Sequence, residues 1–175
     1  MVIASRRAMG SGGCPFIDVL VEIEIASALE GLSARWAAER GTSVAQLSSV
    51  RLHLAEIESL LDNGSVSASG LARFAHLNSA FHRSVADLAC SATLTRHTGP
   101  DPVDVFTRPE VRRLFLADPA RITALLLIEQ DEHHRIVEAI EAGRGARAES
   151  LVREHAFLAR RHLAELVTGE RRAIV

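Results

Sequence analysis

Tyrosine is missing from this chain altogether, tryptophan occurs once, and aromatic residues make up only 4% of the 175 positions. A core must therefore be built mainly from aliphatic side chains. Cysteine is as scarce: Cys14 and Cys90 are too few for a disulfide framework, and both read as free thiols. No apolar run approaches the roughly 18 residues a membrane span requires. The opening stretch MVIASRRAMGSGGCPF carries two arginines but no apolar segment of the kind a signal peptide needs. Neither charge dominates: the formal net charge is −2 and the sequence pI is near 6.4. That balance gives no general electrostatic drive toward DNA or acidic membranes. Together these absences lead to the expectation of a cytoplasmic protein.

What is present is a helix-former's composition of Ala, Leu, Glu and Arg. Residues 1–16 are rich in Gly and Ser without periodicity, and are expected to form a flexible N-terminal arm. From Ile17 to about Arg40 apolar residues recur at helical spacing, and Gly41 supplies a stop. SVAQ at 43–46 has the form of a capping box and opens a second helix, which runs to about Leu61 and the breaker DNG. A third helix is expected over roughly 68–90. Residues 91–118 hold three of the five prolines and predict a broken short helix, a loop and a restart near Pro109. Asp118 and Pro119 then cap and open a helix reaching Ala142, stopped by Gly143, and a last helix spans about Ala146 to Val167. No stretch alternates as a strand does. The expected fold is an all-α antiparallel bundle of six to seven helices, with residues 17–168 as the domain and 169–175 as a tail.

Three helices place a histidine where their apolar stripe should continue. The stripe of HLNSAFHRSVADLA and its surroundings runs through Leu71, Phe74, Phe81, Val85 and Leu88, and Asn78 and His82 lie on it, one turn apart. In ITALLLIEQDEHHRIVEAIEAG the stripe is Ile122, Leu125, Leu126, Ile136, Val137 and Ile140, with His133 filling its gap. In the last helix it is Ala148, Leu151, Val152 and Leu158, with His155 in the gap. A single histidine on such a face is ordinarily a hydrogen-bonded core residue. Three of them with an inward Asn admit a second reading, a shared divalent ion that satisfies every lone pair at once. Neutral imidazoles with an oxygen ligand suit zinc first, then nickel or manganese. Both readings stand on the residues alone.

Competing chemistries fit less well. HExxH, paired Glu-x-x-His motifs and an adjacent His-Asp pair are all missing. No Ser or Cys has a base at fixed spacing, and no Gly-rich phosphate loop follows a strand. A metal-dependent enzyme would have to use His134 or Glu132 as its base. A metal-free helical dimerisation module is the other alternative.

LNSAFHRSVADLA, EHHRIVEAIEAG and ARAESLVREHAFLARRHL, with ALEGLSARWAAERG nearer the start, resemble the signature segments of the FCD domain. This is the FadR C-terminal-type effector domain of GntR-family bacterial transcription regulators. The resemblance spans about residues 18–167 and is weak over 91–118. It implies a helical bundle in which Asn78, His82, His133 and His155 bind one divalent metal ion beneath a cavity. It also implies a small-molecule effector, often a carboxylate, a homodimer, and DNA contact only through a winged helix-turn-helix module that these residues do not include. Arg83, Arg121 and His162 are the candidates to meet the effector.

Three departures from the family pattern stand out. The winged-helix module is not among these residues. Ala26 occupies a position where the family often has a cavity-facing Arg. Arg144 and Gly145 replace an acid after the penultimate helix, which reads as a loop change only. Asn78, where Asp is common, adds a fourth consequence: an amide oxygen offsets none of a cation's charge. The expectation is weaker metal binding, or an anionic effector that completes the balance.

Overall fold

A computed structural model describes residues 15–62, 64, 66–98, 112, 113 and 116–173. The N-terminal arm up to residue 14, the expected restart near Pro109 and the last two residues lie outside these. Among the described residues six helices have defined bounds: α1 (Pro15–Arg40), α2 (Val44–Leu61), α3 (Ala68–Asp87), α4 (Ala92–Thr98), α5 (Pro119–Glu141) and α6 (Gly145–Ala173). No strand occurs among the described residues.

The helix boundaries follow from local chemistry. Gly41 takes a left-handed conformation (φ 77°) that ends α1. Ser43 and Gln46 cap α2 reciprocally: the Gln46 N–H donates to Ser43 Oγ at 3.2 Å, and the Ser43 N–H donates to Gln46 Oε1 at 2.9 Å. Ser67 caps α3 by accepting from the Gly70 N–H at 3.0 Å. Asp118 caps α5 by accepting from the Arg121 N–H at 3.0 Å, with Pro119 in the first turn. Gly143, at φ 68°, closes α5. The last helix runs on to Ala173, past the expected end at Val167.

Packing follows the predicted stripes. α1 lies along α6, α2 packs on α3 and α5, and α5 packs on α6, so the long helices enclose one apolar core. Phe74, Phe81, Ile57, Leu126, Ile136 and Ile140 are fully buried at its centre, and His133 is buried as completely as they are. Two glycines permit the α1–α6 approach. A Cβ on Gly31 would sit 3.2 Å from the Glu149 carbonyl oxygen, and one on Gly145 would sit 2.6 Å from Glu39 Cγ and 3.1 Å from the Arg35 carbonyl oxygen. The residue change at 144–145 is therefore more than a loop variation: Gly145 lets the start of α6 lie against the end of α1. Trp36 is 49% exposed and takes no place in the core of the chain. Among the described residues no helix is long and apolar enough to cross a membrane.

Candidate metal centre

The bundle brings His82 of α3, His133 of α5 and His155 of α6 together. Their ring centroids lie 4.8 to 5.3 Å apart, and their ligating atoms all fall within 4.8 Å of one another. Phe81 stacks on His133 with a 4.2 Å centroid separation and closes the apolar side of the cluster.

Each imidazole is held by its Nδ1 atom. His82 Nδ1 is 2.6 Å from Glu30 Oε1, His155 Nδ1 is 2.8 Å from Glu132 Oε2, and His133 Nδ1 is 3.3 Å from Gln130 Oε1. A carboxylate only accepts, so His82 and His155 must donate through Nδ1–H. The same holds for His133 by one further step. Gln130 Nε2 lies 3.1 Å from the Leu54 carbonyl, which accepts and cannot donate, so the amide is turned with Oε1 toward His133. Nδ1 of His133 therefore carries the proton and Nε2 carries the lone pair. This is the tautomer a metal ligand needs, with the other ring nitrogen anchored by a neighbour.

Two atoms in this region have no hydrogen-bond partner although they are buried: His133 Nε2 and Asn78 Oδ1. Leaving such an acceptor dry costs about 1–3 kcal/mol. Asn78 sits one turn before His82 on α3 and is itself buried, so the orphaned oxygen comes from the fourth residue that the α3 stripe singled out. A cation is the partner that satisfies an sp² nitrogen and an amide oxygen together. On these grounds the residues present fit a divalent ion.

Charge distinguishes the three rings. Burial holds the His133 imidazole well below the usual histidine range, and the neighbouring His155, His82 and His134 push it further, so it stays neutral. Burial also acts against a charged His155, but Glu129, Glu132 and Glu30 outweigh it and raise that group. Glu129 Oε2 approaches His155 Nε2 at 3.4 Å, and burial raises the Glu129 carboxyl despite His155. Without metal this pair retains protons at one edge of the cluster, and a cation there would displace the proton on Nε2.

The glutamates and Gln130 were not singled out by the stripe analysis. Glu129 had a signal: it is one turn before His133 and fills the interval between Leu126 and His133. Glu30 had none, since a charged residue on an amphipathic helix reads as solvated by default. Glu132 and His134, the bases an enzyme would need, are engaged elsewhere. Glu132 holds His155, and His134 Nε2 lies 2.8 Å from Glu58 Oε1. A carboxylate only accepts, so His134 Nε2 is a donor there and its 3.2 Å approach to Gln130 Nε2 is a contact between two donors.

The effector candidates stand on three different helices, Arg83 on α3, Arg121 on α5 and His162 on α6. Arg121 is exposed at the start of α5, twelve residues or roughly 18 Å along the helix from His133. Arg83 is half-buried and acts on His53 of α2, helping burial to lower that imidazole. His162, two turns beyond His155, is half-buried with its Nδ1 enclosed and unpartnered.

The family model of the FCD domain matches residues 22–157. The chain belongs to the FCD domain family. Curated proteins give no match to it. FCD domains are the effector-binding, regulatory domains of GntR-family transcription regulators. Of its helices, α3 and α5 lie wholly within the matched span, α1 mostly so and α6 as far as residue 157, and together they supply every group of the histidine cluster.

Proposed function

We propose that this FCD domain is a metal-dependent sensing domain, in which His82, His133, His155 and Asn78 hold one divalent ion, zinc first, with nickel or manganese as alternatives. The observation that carries the proposal is the convergence of three imidazoles, each anchored through Nδ1, with His133 Nε2 orphaned and with the orphaned Asn78 Oδ1 coming from one helical turn before His82. A hydrogen-bonded core, the bland alternative, would have paired those two atoms.

The ion would join α3, α5 and α6 at one point, while Glu30 ties α1 to the same point through His82. A change of ligand at the ion would thus reach four helices. In a homodimeric regulator of the cytoplasm, such a shift at the bundle changes the spacing of two DNA-reading modules, and these residues themselves would have little affinity for DNA. The fold would comprise residues 17–168 as the working domain. The full engagement of Glu132 and His134 favours sensing over metal-dependent catalysis.

Titration of chelator-stripped protein with zinc, nickel and manganese by calorimetry tests the site, with sedimentation velocity reporting the assembly. One ion per chain and a dimer are expected. No heat with any of the three ions, or a monomer throughout, counts against the corresponding half of the proposal.

A further inference from the structure

We infer that Glu129 is a further ligand of the ion, an internal carboxylate on α5 that supplies the anionic oxygen Asn78 does not. The inference rests on the metal site proposed above and adds one ligand to it.

Position and burial point to this role. Glu129 lies one turn before His133, so both side chains leave α5 on the same face. It is 4% exposed, as deeply enclosed as His155. Its Oε2 stands 3.4 Å from His155 Nε2, and the charges around it are those of His155, Glu132 and His82. Glu129, Glu132 and His155 bring ligating atoms within 4.8 Å of one another, and His155 is also the ring grouped with His82 and His133. A carboxylate buried this deeply is costly unless a cation or a hydrogen-bond donor meets it.

His155 meets its two carboxylates differently. Glu132 closes on Nδ1 at 2.8 Å, the length of a charge-assisted hydrogen bond. Glu129 stands off from Nε2 at 3.4 Å, too far for such a bond. Two donors bound to one ion at roughly 2.0–2.1 Å lie about 2.8–3.6 Å apart, from a right angle to 120°. The separation of Glu129 Oε2 from His155 Nε2 falls inside that range. The unpartnered His133 Nε2 belongs to the same cluster and requires a partner of its own. An amide oxygen offsets none of a divalent ion's charge, and a carboxylate offsets one unit. With Glu129 as ligand, half of that charge is balanced within the chain and half remains for an acid effector. Residue 129 thereby performs on α5 the task that Asn78 leaves open on α3.

Cobalt(II) is the probe, because its visible d–d bands report the ligands bound to it. Chelator-stripped wild type, Glu129→Ala and Glu129→Gln are titrated with the ion, with circular dichroism confirming that each is folded. Both variants are expected to bind cobalt at least about tenfold more weakly than wild type and to show shifted bands. Millimolar acetate is expected to restore the bands and most of the affinity in Glu129→Ala, where a carboxylate fits the vacated space. It should not do so in Glu129→Gln, where the amide fills that space. Wild-type affinity and bands in either folded variant overturn the inference. So does weakened binding in Glu129→Ala that acetate leaves unchanged, since Glu129 would then act only through His155. Should Glu129→Ala fail to fold, the bands of Glu129→Gln decide: shifted bands support the inference, and wild-type bands overturn it. A wild type without any d–d bands overturns the metal site itself, and is told apart by that observation.

Discussion

Replacing Asn78 with leucine separates a metal ligand from a structural amide. The two side chains share a branched heavy-atom skeleton, and leucine, bulkier by its methyl hydrogens, meets Phe74, Phe81 and Val85 on the same face of α3, which takes back part of any gain. In the metal-free protein the substitution removes a buried oxygen without a partner. Relief of that desolvation is worth about 1–3 kcal/mol, less whatever the amide nitrogen contributes, so a net gain of about 1–2 kcal/mol is expected. For a domain of this size that raises the midpoint by roughly 2–8 °C. With zinc the order reverses. Wild type gains about 2.7 kcal/mol when the free ion stands a hundredfold above its dissociation constant, and the variant, one ligand short, gains much less at the same concentration. Thermal unfolding of both proteins, with chelator and with zinc, is the assay, and a crossing of the two stabilities is the signature. An Asn78→Leu protein destabilised by more than about 1 kcal/mol without metal would refute the reasoning, because Oδ1 would then be satisfied in the native core.

Gln130→Leu frees His133 to adopt either tautomer and should weaken zinc binding about 10- to 100-fold in calorimetry, with little change in helix content by circular dichroism. Metal-free wild type should lose stability as pH falls below about 6.5, more steeply than His133→Leu. The His133 pKa is depressed in the native state, so between its folded value and its unfolded one the unfolded chain binds the extra proton. His155 works in the opposite sense, its contribution fading as pH rises through its raised folded value, so the difference between the two proteins, and not the wild-type curve alone, carries this test. Gly145→Leu should cost about 1–3 kcal/mol in denaturant unfolding, since a side chain there collides with Glu39 and the Arg35 carbonyl; an unchanged midpoint would mean that α6 starts away from α1.

Much of this was readable from periodicity and end signals. The Ser43–Gln46 box, the Asp118–Pro119 start and the glycines at 41 and 143 are local devices, and local devices leave local marks. His82, His133 and His155 were legible because each interrupts an apolar stripe, and an interrupted stripe on a buried face needs a reason. What surrounds them was not. Glu30 meets His82 across 52 residues of sequence and Glu132 meets His155 across 23, so the pairings exist only once the helices are packed. Gln130 is informative solely through its bond to the Leu54 carbonyl on another helix, 76 residues away. The charge around the histidines therefore lies in tertiary contacts that spacing along one helix does not encode. Trp36 is a different case: an indole on an amphipathic helix suggests a core or a dimer interface, and the bundle leaves it half-exposed.

The most direct measurement is the metal content of untagged purified protein by mass spectrometry, beside His133→Ala, with circular dichroism confirming that both are folded. The account predicts close to one divalent ion per chain in wild type and its loss in the variant. Folded wild type that holds no divalent ion and takes up none from added zinc or nickel would contradict it, and the three histidines would then be a polar core whose Nε2 and Oδ1 atoms find partners of another kind.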